Sequence, residues 1–305
     1  MSELEARSHK FSSKANNDSN IESRTSRIAL RSEKNLTIRL VAMDLDDTLL
    51  RDDWTISPRV VKVIQKAQAQ GVKMTLATGR MPISARPYAE QLGLDVPVIT
   101  YHGAMIQQVL SGDILFRRVI PSALATEIVQ DVVSRGVYAQ VYLKDRVITS
   151  ELNDWSQEYA RIASVRIEEA DLSILLSQEP EGVEKILLMG EESALDQLAP
   201  LLSQCYGEKV HITKSKPCFL EITDGSVNKG VALAALAEHF GIDRSEVMAI
   251  GDSFNDLEMI NYAGLGVAMG NARPEIQDRA DIITASNQED GVAEAIERYV
   301  LDRIL

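Results

Sequence analysis

The chain has 305 residues, of which 45% are hydrophobic and 25% are charged, and its formal net charge is −13. This length allows one large or two modest domains with a buried core, and the composition is that of an ordinary soluble protein. The negative charge argues against a nucleic-acid partner, because nucleic-acid phosphates are bound mainly by Lys and Arg. The sequence also has no apolar run near the roughly 18 residues of a membrane helix, which argues against a membrane partner.

Residues 1–35 differ in composition from the rest, since they are rich in Ser, Asn, Lys, Arg and Glu and show no apolar periodicity. Such a segment cannot offset the entropy of ordering, so we expect a flexible polar tail. It lacks the apolar stretch of a secretory signal. Cys205 and Cys218 form no close metal-type pair, and we interpret them as free thiols in a reducing compartment. We therefore expect a cytoplasmic protein.

A regular pattern begins at Arg39. The run RLVAMD over 39–44 predicts a buried strand that ends in a carboxylate. The pattern then predicts a helix from Ser57-Pro58, a strand over 72–77, a helix from Pro82 and a strand over 96–100. Strands that alternate with helices predict a doubly wound parallel α/β sheet covered on both faces.

The middle of the chain has a different pattern. Segments 104–109 and 114–119 flank Ser111-Gly112-Asp113 and predict a hairpin, and the segments 138–143 and 146–149 flank another short turn. Hairpins mixed with helices predict an inserted α+β cap domain over residues 85–215. Alternation returns with strands over 219–222, 247–250 and 264–268 and helices over 229–240, 257–262 and 291–303. One core domain, residues 36–84 and 216–305, is therefore predicted around the insertion.

The first of four candidate motifs is Asp44-Leu45-Asp46-Asp47-Thr48, at the end of a predicted strand. Open α/β sheets bind ligands at the carboxyl ends of their strands. Three acids so close together repel one another, and a hard cation such as Mg²⁺ would offset the repulsion. Asp44 could attack phosphorus while Asp46 exchanges protons with the leaving oxygen and with water. A charged strand-to-helix turn without catalytic function is the alternative.

The other three motifs are weaker individually. Thr78-Gly79-Arg80 follows a strand and could seat a phosphate, although a simple turn explains it too. Lys229 opens a predicted helix and could neutralise phosphoryl oxygens, although such a lysine is often solvated. Gly251-Asp252-Ser253-Phe254-Asn255-Asp256 could complete a metal site or form a capping turn. Four solvated turns at four strand or helix ends would require four independent coincidences.

These residues resemble the motifs of the haloacid dehalogenase (HAD) superfamily, specifically its Cof-type phosphatases with a large inserted α/β cap. The matching segments are DLDDTLL, LATGR, VNKG and GDSFND, and the segment GLGVAMGNARPEIQDRADIITASNQEDGVAEAI is also close to the usual ending of the family. The resemblance covers residues 39–300, with the motifs in the expected order and spacing. It implies a Rossmann-like HAD core and a phosphatase whose substrate the sequence does not name.

The resemblance also implies roles for individual residues. Asp44 is expected to be the nucleophile and a metal ligand, Asp46 the general acid and base that binds metal through its carbonyl oxygen, and Asp252 the third ligand of Mg²⁺. The remaining expected roles are phosphate or substrate binding by Thr78, Gly79, Lys229 and Asn255, and orientation of the metal shell or of Lys229 by Asp256.

One departure from the family is visible, because His102-Gly103-Ala104 stands where Asn-Gly-Ala is common. His102 either changes a substrate contact at the junction of core and cap or simply fills space there.

We therefore predict an Mg²⁺-dependent phosphatase that hydrolyses a small phosphorylated metabolite, such as a sugar phosphate, a nucleotide or a cofactor phosphate, through an aspartyl-phosphate. Two alternatives stay open at this point. A phosphomutase of the same superfamily would return the phosphate to the substrate, and a non-catalytic regulator would merely accept a phosphate on Asp44. The sequence does not indicate the oligomeric state.

Overall fold

The computed structural model describes residues 37–302, so the tail expected over residues 1–35 lies outside the described residues. The strands in this part are β1 (Leu40–Met43), β2 (Lys73–Leu76), β3 (Val98–Thr100), β4 (Met105–Gln107), β5 (Ile114–Arg117), β6 (Tyr138–Leu143), β7 (Arg146–Thr149), β8 (Ile167–Glu169), β9 (Lys185–Met189), β10 (Val210–Lys216), β11 (Phe219–Asp224), β12 (Val247–Gly251), β13 (Leu265–Ala268) and β14 (Ile282–Ile283).

The α-helices of the same part are α1 (Pro58–Ala69), α2 (Pro82–Gln91), α3 (Ser122–Ser134), α4 (Asp154–Ala163), α5 (Leu172–Gln178), α6 (Glu192–Tyr206), α7 (Lys229–His239), α8 (Leu257–Tyr262), α9 (Pro274–Gln277) and α10 (Gly291–Ile296). Within residues 37–302, no helix is long and apolar enough to cross a membrane.

The first sheet has five parallel strands in the order β14-β13-β12-β1-β2. All four residues of β1 are fully buried. Val41 and Met43 belong to one hydrophobic cluster and Leu40 and Ala42 to another, as the alternation of side chains along a strand requires. Helices α1 and α10 contribute to the first cluster, and α7 and α8 contribute to the second. The predicted doubly wound α/β core is therefore confirmed.

The strand order changes direction at the centre of this sheet. From β1 the chain continues to β2 on one side, whereas β12, β13 and β14 follow one another on the other side. The loops after β1 and β12 consequently diverge from adjacent strand ends. Doubly wound sheets bind ligands in the crevice that forms at such a switch point.

A small antiparallel sheet, β3-β4-β5, adjoins this core. Strand β3 is linked to the core sheet through a parallel bridge between Ala77 and Ile99. Strands β4 and β5 form the hairpin that was predicted around Ser111-Gly112-Asp113. Ile99 and Ile106 pack in the same cluster as β1, so this small sheet belongs to the core and not to the cap.

The second large sheet has six strands in the order β10-β11-β9-β6-β7-β8, and all of its pairs are antiparallel except β7 with β8. Helices α3, α5 and α6 share a hydrophobic cluster with one side of it. A different cluster joins Tyr142, Leu187 and Phe219 of this sheet to Tyr159 of α4 and to Tyr101 of the core. The second sheet therefore forms a mixed α+β cap that packs against the core through that cluster.

The boundaries expected at 85 and 215 do not coincide with these sheets. Ala89 and Leu92 pack in the core cluster, whereas β11 pairs with β9 inside the cap sheet. The strand expected over 219–222 exists, but it was assigned to the core, because a short apolar run identifies a strand and not its partner. We propose boundaries near residues 118 and 225 for the inserted cap.

Candidate active site

The site forms where the loops after β1 and β12 diverge. The backbone N–H of Asp44 donates to the carbonyl oxygen of Ile250 at 2.9 Å, which fixes Asp44 as a continuation of the sheet. Asp252 directly follows β12. Lys229 is the first residue of α7, whose start is capped by the Asn228 side chain, an acceptor from the Val231 N–H. Three distant segments are thereby brought to one edge of the sheet.

Lys229 lies between two acids. Its Nζ donates to Asp44 Oδ1 and to Asp256 Oδ1, both at 2.6 Å, and the side chain is fully buried. Burial alone would lower the pKa of Lys229, but the neighbouring charges of Asp256 and Asp44 outweigh it and raise that pKa. The ammonium group therefore stays protonated and neutralises part of the acidic charge.

Asp256 accepts hydrogen bonds from its own loop and from Lys229. Its Oδ2 accepts from the backbone N–H groups of Asp252 and Ser253 at 3.0 Å, while its Oδ1 accepts from Lys229. Gly251 allows this approach, because a Cβ there would lie 2.5 Å from Asp256 Cγ. In this arrangement Asp256 therefore holds both the loop and Lys229.

A hard cation fits the acids of this site. Carboxylate oxygens of Asp44, Asp252 and Asp256 lie within 4.8 Å of one another, and Asp44 and Asp252 line the cavity at the site. Asp252 Oδ1 also accepts from Thr48 Oγ1 at 2.8 Å. Burial and then the charge of Asp256 raise the pKa of Asp44 to about 8, although Lys229 opposes this. The same two causes raise the pKa of Asp252. An oxygen-ligated cation such as Mg²⁺ would relieve this repulsion.

Asp46, the expected general acid and base, is paired with Arg80. Arg80 donates two hydrogen bonds to the carboxylate of Asp46, from Nε at 2.9 Å and from Nη2 at 2.7 Å. Burial would raise the pKa of Asp46, but the hydrogen bonds and charge of Arg80 outweigh burial and lower it. Arg80 itself donates to Ser84 and lies beside the rings of Trp54 and Tyr88. Asp46 must leave Arg80 before it can act as an acid.

Two of the four residues expected to bind phosphate or substrate, Gly79 and Asn255, line the cavity, whereas Thr78 and Lys229 do not. Arg80 also lines it. Thr78 is buried one position behind Gly79, and its hydroxyl oxygen accepts from the Arg80 N–H at 3.1 Å. The cavity has a volume of about 60 Å³ and is partly open to solvent.

A cluster at the junction of core and cap was not predicted. Glu221 Oε1 accepts from Lys185 Nζ at 2.7 Å, and the same ammonium group donates to the carbonyl oxygen of Gly79 at 2.8 Å. Glu221 Oε2 lies 2.8 Å from His102 Nε2, and Asn255 Nδ2 lies 3.3 Å from His102 Nδ1. His102 was left open in the sequence, and here it lies in the cavity wall.

The sequence shows the charged residues of this cluster inside apolar runs, but it does not show that they meet. Lys185 stands in the apolar run KILLM and Glu221 in FLEITD, and each is at most 4% exposed. A charged residue inside a buried strand needs a partner, yet the sequence does not indicate which residue that partner is. Tyr159, Lys216 and Phe219 of the cap also line the cavity without having been predicted.

The raised pKa values predict how stability depends on pH. Because folding raises the pKa of Asp44 from 3.8 to about 8 and also raises that of Asp252, the folded metal-free protein holds protons that the unfolded chain has lost. Its stability should fall as pH rises from about 4 to about 8. Asp252→Asn keeps an oxygen for Thr48 and removes one charge, so it should raise the free energy of unfolding near pH 8 by roughly 1 kcal/mol.

Thermal unfolding in metal-free buffer at several pH values measures this effect. The gain from Asp252→Asn should shrink toward acidic pH, where the carboxyl is already protonated in the folded state. A clear loss of stability near pH 8 would mean that Asp252 is a structurally required charge.

Known proteins share the sequence and the fold of this chain. The sequence model of the haloacid dehalogenase-like hydrolases matches residues 41–296. A 5-amino-6-(5-phospho-D-ribitylamino)uracil phosphatase of Bacillus subtilis is 33% identical over 272 residues, which are 88% of this chain and 98% of that protein. A pyridoxal phosphate phosphatase of Escherichia coli is 26% identical over 87% of this chain and all of its own length.

A solved structure is similar as well. The crystal structure of a haloacid dehalogenase-like hydrolase from Bacteroides thetaiotaomicron superposes with a TM-score of 0.76 at 32% identity, over 86% of this chain and 99% of that one. The family match covers the core strands, the cap and all four motifs. The chain therefore belongs to the haloacid dehalogenase-like hydrolases.

Proposed function

We propose that this hydrolase is an Mg²⁺-dependent phosphatase that forms a transient phospho-aspartate on Asp44. The observation that carries the proposal is the position of Asp44, which lines the cavity while Lys229 donates to it from behind at 2.6 Å. The relatives named above are phosphatases of small phosphorylated metabolites. That substrate class, with no nucleic-acid or membrane partner, is what we propose for this chain.

In the first step a carboxylate oxygen of Asp44 bonds to phosphorus and the ester P–O bond breaks. Asp46 gives its proton to the departing alkoxide. In the second step Asp46 takes a proton from water, and the water oxygen displaces Asp44 to release inorganic phosphate. Lys229 stabilises charge during both steps, and Gly79, Thr78 and Asn255 bind the phosphoryl group.

The metal would be held by the carboxylates of Asp44 and Asp252 and by the carbonyl oxygen of Asp46. Mg²⁺, when bound, offsets the acidic charge and polarises the phosphoryl oxygens. Arg80 has to exchange partners in this scheme, because it holds Asp46 in the arrangement described here. The approach of an anionic phosphoryl group gives Arg80 an alternative partner and frees Asp46.

The reaction is proposed to take place in the cytoplasm. Cys205 and Cys218 are both free thiols, which suits a reducing compartment.

We expect activity to require Mg²⁺ and Ca²⁺ to inhibit it. The larger and looser ligand shell of Ca²⁺ displaces the attacking carboxylate of Asp44. Phosphate release after exhaustive chelation, with each ion then added back, measures both effects. Full turnover in the chelated enzyme would contradict the metal assignment.

The roles of Asp44 and Asp46 are tested by two variants on two kinds of ester. Asp44→Asn should abolish turnover of every substrate, because the amide is not a nucleophile. Asp46→Ala should lose about 10²–10⁴ in rate on alkyl phosphates, whose alkoxide needs a proton. With p-nitrophenyl phosphate the leaving group departs unprotonated, so this variant should give a burst near one equivalent and then stall.

Rapid-mixing absorbance records the burst, and mass spectrometry should find an acyl phosphate on Asp44. Asp47→Ala is the matched control, because Asp47 lies in the same turn but is half exposed and pairs with Lys216. Equal losses on both esters in Asp46→Ala, without burst or adduct, would refute the acid and base role. Release of inorganic phosphate also separates hydrolysis from a phosphomutase reaction.

A further inference from the structure

Residues 78–80 form the turn that is proposed to bind the phosphoryl group, and we call it the phosphate turn. Its first and last carbonyl oxygens accept from the backbone N–H groups of His102 and Tyr101, respectively, both at 3.0 Å. The middle carbonyl oxygen, on Gly79, accepts from Lys185 Nζ at 2.8 Å. His102 and Tyr101 belong to the core, whereas Lys185 belongs to strand β9 of the cap. The cap therefore holds the middle of the phosphate turn.

This contact sets the orientation of the peptide group between Gly79 and Arg80. A trans peptide group is planar, and its carbonyl oxygen and N–H point in opposite directions. Because Lys185 holds the oxygen toward the cap, the Arg80 N–H is directed to Thr78 Oγ1, which accepts from it at 3.1 Å. Within the described residues no acceptor takes up the N–H of Gly79. That donor is therefore available to a phosphoryl oxygen.

The phosphate turn needs such an external contact because of its glycine. A Cβ at position 79 would lie 2.2 Å from ring atoms of His102, so the packing of the ring requires a residue without a side chain. Glycine has more backbone freedom than any other residue. Contacts from neighbouring segments must therefore keep the turn in one orientation, and Lys185 supplies the contact at the glycine itself.

Lys185 is itself held firmly. Its side chain is only 1% exposed, and its Nζ also donates to Glu221 Oε1 at 2.7 Å and lies 4.4 Å from the ring centroid of Tyr142. Glu221 Oε2 in turn pairs with His102 Nε2 at 2.8 Å. The two hydrogen bonds and the ring contact account for the three N–H groups of the ammonium. Lys185 therefore acts on the phosphate turn and not directly on a substrate.

We propose that Lys185 is a positioning residue for hydrolysis, which holds the Gly79 carbonyl oxygen and thereby keeps the Gly79 N–H ready to bind the phosphoryl group. The inference rests on the proposed phosphatase function. Lys185 influences the phosphoryl group through the turn and makes no use of the leaving group. Its loss should consequently weaken the reaction of every phosphate ester to the same extent.

Lys185→Met tests this role, because it removes the donor and keeps a side chain of similar length. The values of kcat/KM for p-nitrophenyl phosphate and for propyl phosphate should both fall by about 10- to 100-fold, and by the same factor. The inhibition constant of inorganic phosphate, which has no leaving group, should rise by roughly 10-fold. Steady-state kinetics with and without added phosphate measure all three values.

A second variant separates positioning from charge balance, because Lys185→Met also leaves the buried Glu221 without its ammonium partner. The double variant Lys185→Met/Glu221→Gln removes both charges and keeps an oxygen beside His102 Nε2. It should be more stable than the single variant but keep the kinetic losses, since the Gly79 carbonyl oxygen still lacks its donor. Return to wild-type values in the double variant would show that Lys185 only balances Glu221, and would overturn the inference. If the single variant does not fold, the double variant decides the question.

Lys214→Met is the matched control. Lys214 is also a cap lysine that pairs with acids, Glu192 and Asp196, but it lies outside the cavity wall. This variant should leave the two kcat/KM values and the inhibition constant unchanged. Unchanged values in Lys185→Met, or a larger loss on one ester than on the other, would overturn the inference and leave the phosphatase intact. Wild-type protein that releases phosphate from neither ester would instead contradict the proposed function itself.

Discussion

The arrangement of the site depends on Lys229, a fully buried ammonium group held between Asp44 and Asp256. Burying charges is costly unless they are paired, and removing one member of a buried pair is worse than never having had it. Lys229 therefore fixes both neighbouring loops at once. Asp256 also fixes the loop after β12, because its carboxylate accepts from the N–H groups of Asp252 and Ser253. The remaining repulsion at Asp44 and Asp252 is what a bound cation would relieve.

The cavity lies between the two parts of the molecule. The core supplies the acids and Lys229, whereas the cap supplies Lys185, Glu221 and Lys216 to the same cavity. We propose that the cap moves when a metabolite enters and leaves, since the movement of such lids sets access and excludes water. Contacts such as Lys216 with Asp47 at 3.1 Å cross from cap to core. These contacts are partly exposed and individually weak. They can therefore break when the cap opens.

The sequence predicted the core well because its signals are local. Apolar runs gave β1, β2, β12 and β13, and a capping Ser and Pro gave the start of α1, where Ser57 Oγ accepts from the Val60 N–H. Partners across long distances were not predictable. Strand β10 alternates polar and apolar residues and was not predicted. Without it, β11 was assigned to the core. The contacts of Asp46 with Arg80 and of Glu221 with His102 depend on segments 34 and more than 100 residues apart, so spacing alone could not reveal them.

The most direct test is a double-mutant cycle on Lys229 and Asp44, followed by chemical denaturation in metal-free buffer at about pH 9, above the pKa of about 8 of Asp44. Lys229→Met should lower the free energy of unfolding by about 3–5 kcal/mol, because it leaves buried carboxylates unpaired. Adding Asp44→Asn should restore part of that loss, with a coupling energy of about 1–3 kcal/mol. Additive effects within about 0.5 kcal/mol would show that Lys229 does not organise the acids and would contradict the account.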